Sequence, residues 1–145
     1  MNSMKQILIQ KINQSLWWHV PPNDKNAYKK RGKFLASTYL QAEFYGRPNI
    51  EPERVNIKNP IFGFSEFAIL ELLFENEELE ANLTLHADIG KADSNVYENR
   101  IALDAKMHTK AKQLGYDSII LMTEAGKVAL ENSRKPGSIE LNLIY

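Results

Sequence analysis

The chain has no cysteine among its 145 residues. That absence removes disulfides, thiolate metal sites and thiol nucleophiles. A zinc site would then need His and carboxylate ligands, yet the three histidines, His19, His86 and His108, share no metal-ligand spacing. No metal is expected. Glycine is sparse, at seven residues, and none falls in a phosphate-cradling pattern. The Gly-x-Gly-x-x-Gly fingerprint, the Gly-Lys-Ser/Thr loop and the Gly-x-Ser-x-Gly nucleophile elbow are all missing. Net charge is also missing: 18 basic residues balance 18 acidic ones, which argues against a partner held mainly through its phosphates. No window approaches the roughly 18 apolar residues needed to span a bilayer. The mixed stretch Met1–Lys11 lacks the apolar core of a signal peptide. The expectation is therefore a cytoplasmic protein with no membrane partner.

What is present is an ordinary globular composition, 43% hydrophobic and 25% charged. One domain over 1–145 is expected, because a chain of this size can bury roughly two-thirds of its unfolded surface without a staple. Met4, Ile7, Leu8 and Ile12 stand at helical spacing, predicting a helix or arm over 1–14. Leu16–Val20 reads as a buried strand stopped by Pro21-Pro22. A helix capped by Asn23 or Asp24 is expected over Lys25–Arg31, closed by Gly32. Phe34–Ala36 reads as a strand, and Thr38 with Gln41 as the capping box of a helix holding Ala42, Phe44 and Tyr45.

Val55–Ile57 alternates like a strand that ends at Asn59-Pro60. Phe67–Phe74 favours helix, Leu83–Ile89 fits helix or strand, and Gly90–Asn95 reads as a loop. A long helix is predicted over Val96–Leu114, ended by Gly115, then a strand over Asp117–Met122. A polar connection with a short helix near Val128–Leu130 leads to the final strand, Ser138–Tyr145. Uneven interleaving of strands and helices predicts an α+β fold on a mixed or antiparallel sheet.

Three polar residues stand where polarity is costly. His19 ends an apolar strand beside two tryptophans, and a core histidine bonded to backbone is the plain reading. Glu140 lies between Ile139 and Leu141, and alternation makes it a solvent-facing carboxylate sharing a face with Asn142 and Ile144. Tyr45 ends a helix, where it can pack as core or stack on a flat ligand.

In order, these pieces resemble an ADP-ribosyltransferase domain of the diphtheria-toxin and poly(ADP-ribose) polymerase branch, of the small bacterial or phage type. The resemblance rests on strand-ending His19, on Gly32–Thr38, on Ala42-Glu43-Phe44-Tyr45-Gly46, on Val55–Ile57 with Asn59-Pro60, on Leu114–Ile120, and on Ser138-Ile139-Glu140-Leu141. It covers roughly residues 16–145, through short motifs whose weight is their order. The resemblance implies a split mixed or antiparallel sheet core with flanking helices, and NAD as co-substrate. It makes Glu140 and His19 catalytic, Glu140 steadying the oxocarbenium-like ribose and His19 holding the adenosine-side ribose. Val20, Phe34, Ser37, Thr38 and Tyr45 would join His19 in binding NAD, with Tyr45 stacked on the nicotinamide and Ser37 or Thr38 on its carboxamide. The run Lys29–Lys33 would meet the pyrophosphate or a nucleic-acid acceptor, or would simply be a solvated helix end.

This sequence departs from the family at two of those positions: Val20 follows the histidine where a Gly is usual, and Phe34 stands where the polymerases place a Tyr. Ser138, two residues before Glu140, differs from the Glu or Gln of arginine-modifying members. The implied activity is NAD-dependent transfer of ADP-ribose to a macromolecule, protein or nucleic acid, as a toxin or phage or defence effector. Three alternatives stay open: an inactive NAD- or nucleotide-binding module of the same fold, a transferase removing an RNA 2′-phosphate, and a small protein-interaction module. The second would need several converging arginines, and the chain has five in all. In the third, Trp17, Trp18 and Phe62–Phe74 would contribute to an interface as well as to the core.

Overall fold

The computed structural model describes residues 3–91 and 95–145. Residues 92–94 of the loop expected over Gly90–Asn95 lie outside them. The first helix, α1 (Met4–Asn13), opens with a complete capping box in which Ser3 and Gln6 bond each other's backbone N–H. It buries Leu8 and Ile12. The strand expected at Leu16–Val20 shortens to β1 (Trp18–His19), because Trp17 leaves the ladder to form a bridge with Glu53. Its ring is fully buried, with the indole N–H given to the Ile12 carbonyl at 3.0 Å.

Helix α2 (Ala27–Arg31) begins later than expected. Asp24 accepts from the Asn26 N–H in the preceding turn and does not cap the helix itself. Gly32 closes α2 at φ +84°, where a Cβ would collide with the Asn142 side chain and the Leu143 carbonyl. Strand β2 (Lys33–Ala36) follows, then α3 (Tyr39–Glu43). Thr38 caps α3 through the Gln41 N–H, at 3.1 Å. Only half of the expected box forms, since the Gln41 side chain binds Ser37 and Ser138.

Val55–Ile57 is a correction: it joins no strand. The Asn13 carboxamide takes both backbone groups of Ile57, at 2.9 Å each, and so satisfies the segment as a strand partner would. The strand comes after Asn59, as β3 (Pro60–Gly63). Proline is tolerated at that first position because it removes only a donor that starts the ladder. Next come α4 (Glu66–Leu73), capped by Ser65, and α5 (Asn76–Ile89), which resolves the ambiguous Leu83–Ile89 as helix. Then α6 (Val96–Gln113), β4 (Ser118–Met122), α7 (Glu124–Glu131) and β5 (Ile139–Leu143) complete the order.

The five strands form one mixed sheet in the order β1-β2-β5-β4-β3. All neighbours are antiparallel except β3 and β4. The sheet is therefore one continuous layer, where a split core was expected, because β5 pairs along its length with both β2 and β4. The protein is α+β, with helices on both sides of the sheet. Leu35, Ile120, Ile139 and Leu141 face α1 and α7, while Ile61 and Ile119 face α4 and α6. Among the described residues no helix is long and apolar enough to cross a membrane.

Candidate functional site

The second sheet face also carries Glu140. Register places it between Ala36 of β2 and Leu121 of β4, and directly paired residues share a face. Helices cover that face incompletely, leaving a cleft of about 960 Å³. The solvent-facing reading of Glu140 is thus corrected: its carboxylate is half-buried on the cleft floor. Burial first, and then the negative charge of Asp104, push its carboxyl above the ordinary 4.5, with Arg100 opposing. Among the described residues none hydrogen bonds that carboxylate.

Beside it lies a charge cluster that strand-and-motif reading missed. Arg100 on α6 bridges α4 and its own helix, with N–O distances of 2.8 Å to Glu66 and 2.6 Å to Asp104. Burial disfavours the guanidinium charge, but the bonds to Glu66 and Asp104 keep it firmly protonated. His86 on α5 adds a 2.7 Å contact to Glu66. Asp104 is pushed upward by burial, more than Arg100 pulls it down. Three carboxylates, Glu66, Asp104 and Glu140, therefore surround one guanidinium. They also line a small cavity of about 30 Å³ with the buried Asn142, space on the scale of one or two waters. No grouping of three or more His, Asp or Glu able to hold a metal occurs among the described residues. In the sequence, Arg100 and Asp104 signalled only an i,i+4 surface pair; Glu66 comes to them through tertiary packing alone.

Aromatic rings crowd the mouth. Tyr45, Phe44 and Tyr97 line the cleft yet are 72%, 86% and 75% exposed. The charge of Glu140, followed by burial, pushes the Tyr45 phenol above its ordinary range, and both residues line the same cleft. Phe34 and Val20 line the same cleft. Ser37 and Thr38 do not. Ser37 is bonded to Gln41 at 2.6 Å and Thr38 is spent as a helix cap.

His19 lines the cleft from β1 and is buried. Its Nδ1 meets the Phe34 carbonyl at 2.7 Å and its Nε2 meets the Tyr28 hydroxyl at 2.8 Å. Burial lowers its pKa, against the Phe34 carbonyl, which raises it. The charges acting on it are Lys33 and Glu53, whereas those acting on Glu140 are Asp104, Arg100 and Glu66. The two residues thus share one cleft but occupy separate electrostatic neighbourhoods.

The structure brings together five of the seven residues singled out in the sequence, and it adds Arg100, Asp104, Glu66 and Tyr28. No protein-family model, curated protein or solved structure matches this chain.

Proposed function

We propose that the protein is an NAD-dependent ADP-ribosyltransferase whose cleft cleaves the nicotinamide–ribose bond and passes ADP-ribose to a macromolecule. The observation that carries this reading is Glu140, a half-buried carboxylate with no hydrogen bond from the described residues, on the floor of an aromatic-rimmed cleft. A volume of about 960 Å³ suits a dinucleotide-sized ligand. NAD, when bound, supplies a ribose carbon made electrophilic by its cationic nicotinamide leaving group.

Every other contribution comes from the chain. Glu140 holds a ribose hydroxyl and stabilises the positive charge that develops on the sugar, as a glycosidase carboxylate does. The excess of carboxylates over guanidinium at Glu66, Asp104 and Glu140 favours a cation there. Tyr45, exposed and lining the same cleft as Glu140, supplies a ring face for the nicotinamide. Arg31 and Arg47, which also line the cleft, supply positive charge for the pyrophosphate.

Glu140→Gln keeps the shape and removes the charge. Nicotinamide release from NAD is expected to fall about 100-fold or more with the fold intact by circular dichroism; near-wild-type turnover would remove the proposal. Because burial raises the Glu140 carboxyl, the acid limb of turnover should lie above pH 4.5.

A second reading, an inactive NAD-binding module, draws support from His19, whose two ring nitrogens both have internal partners. Binding of NAD by calorimetry without nicotinamide release would favour it.

A further inference from the structure

The bonds around His19 have a direction. A backbone carbonyl only accepts, so the Phe34 carbonyl, 2.7 Å from Nδ1, fixes the proton on that nitrogen. Burial favours the neutral ring, so Nε2 carries a lone pair and must accept. The Tyr28 hydroxyl, 2.8 Å away, is then the donor. Its single proton is spent on the imidazole, and its oxygen retains only lone pairs. The phenol ring is held on two sides: its centroid lies 5.6 Å from that of His19, and it stacks on Tyr145 at 5.3 Å with 15° between planes. Tyr28 also lines the cleft.

We infer that Phe34, His19 and Tyr28 form one directional hydrogen-bond chain that presents the Tyr28 oxygen as an acceptor-only anchor for a sugar hydroxyl, so that Tyr28 touches the ribose and His19 acts through it. This rests on the reading of the cleft as an NAD site and deepens it. An acceptor-only oxygen selects a hydroxyl or amine donor and disfavours a phosphate or carbonyl oxygen, which would meet it lone pair to lone pair. Held by stacking, it needs little ordering when the ligand arrives. His19 is thereby a positioning residue, and its buried, fully bonded state is what the role requires.

The test is calorimetric, with NAD and with two analogues lacking the 2′- or 3′-hydroxyl of the adenosine-side ribose. Wild-type protein should bind one of the two analogues about tenfold more weakly than NAD, the value of one buried hydrogen bond. Tyr28→Phe should bind NAD about tenfold more weakly and that analogue no worse than NAD, since both would lack the same bond. A merely structural role for Tyr28 would weaken all three ligands equally and would overturn the inference. So would wild-type protein that binds both analogues as tightly as NAD, an outcome that needs no variant to fold. Wild-type protein that fails to bind NAD at all would overturn the inference and the cleft assignment together, whereas binding of NAD with no discrimination would overturn the inference alone.

Discussion

Two of the three histidines are pushed toward the neutral form by burial, and each accepts a hydrogen bond at Nε2. His19 accepts from Tyr28, and His108 accepts the Tyr145 backbone N–H at Nε2, at 2.9 Å. Burial lowers both pKa values from 6.5, for His108 with help from Lys112. Their folded values lie below their unfolded ones, so below pH 6.5 the unfolded chain binds protons more readily and stability falls as pH drops through the folded values. The urea midpoint should therefore decrease between about pH 7.5 and about pH 5.5. His108→Gln, which can still accept from Tyr145, should flatten part of that slope; an unchanged slope would show that His108 is not held neutral. Glu140 and Asp104 act in the opposite sense. Their raised values add stability as pH falls through them, so a Glu140→Gln background makes the histidine slope clearer. The sequence could flag His19 and Glu140 as polar residues in apolar strands. Alternation alone could not show that Glu140 faces a cleft, since a face polar by pattern reads the same whether water or a ligand covers it.

At the level of elements, the segments that carried the family likeness also have a structural role. Asp117 accepts from the backbone N–H groups of Lys58 and Asn59, at 2.6 and 3.1 Å, and from the Ser118 hydroxyl. Asn59 returns the contact, giving its carboxamide N–H to the Gly115 carbonyl at 2.9 Å. This clasp sets the start of the parallel pair β3–β4, a pairing that no tight turn can register because the strands are far apart in sequence. Asp117→Ala would leave two backbone donors without partners and should lower unfolding free energy by about 2 kcal/mol, read from urea denaturation. A loss under about 0.5 kcal/mol would mean water replaces the clasp at no cost. Helices α4 and α6 were legible from periodicity, and α6 also from the Gly115 that ends it. Val55–Ile57 was not, because its alternation is genuine but its hydrogen bonds go to Asn13 instead of to a strand.

For the molecule as a whole, β5 is the spine. It is central, paired along its length on both sides, and its Leu141 is fully buried between β2 and β4 on the face covered by α1 and α7. Leu141→Ala should destabilise by about 2–5 kcal/mol, a large part of the roughly 5–15 kcal/mol expected of such a domain. The measurement is the urea midpoint, and a loss below about 1 kcal/mol would show that the core collapses to fill the space. The same strand carries Leu141 into one core and Glu140 into the cleft, so core and site are coupled by a period of two.

Periodicity, caps and breakers are local, and they made the α+β class, most helices, the strand identities of β2, β4 and β5, and the oddity of His19 and Glu140 readable from the residues. Tertiary structure alone decided the sheet order, the Asn13 clamp on Ile57, the Glu66–Arg100–Asp104 cluster beside Glu140 and the Tyr28 partner of His19. Those depend on which distant segments meet, and neither a spacing nor a propensity encodes a contact between α4 and α6 or the direction of a hydrogen bond across a cleft.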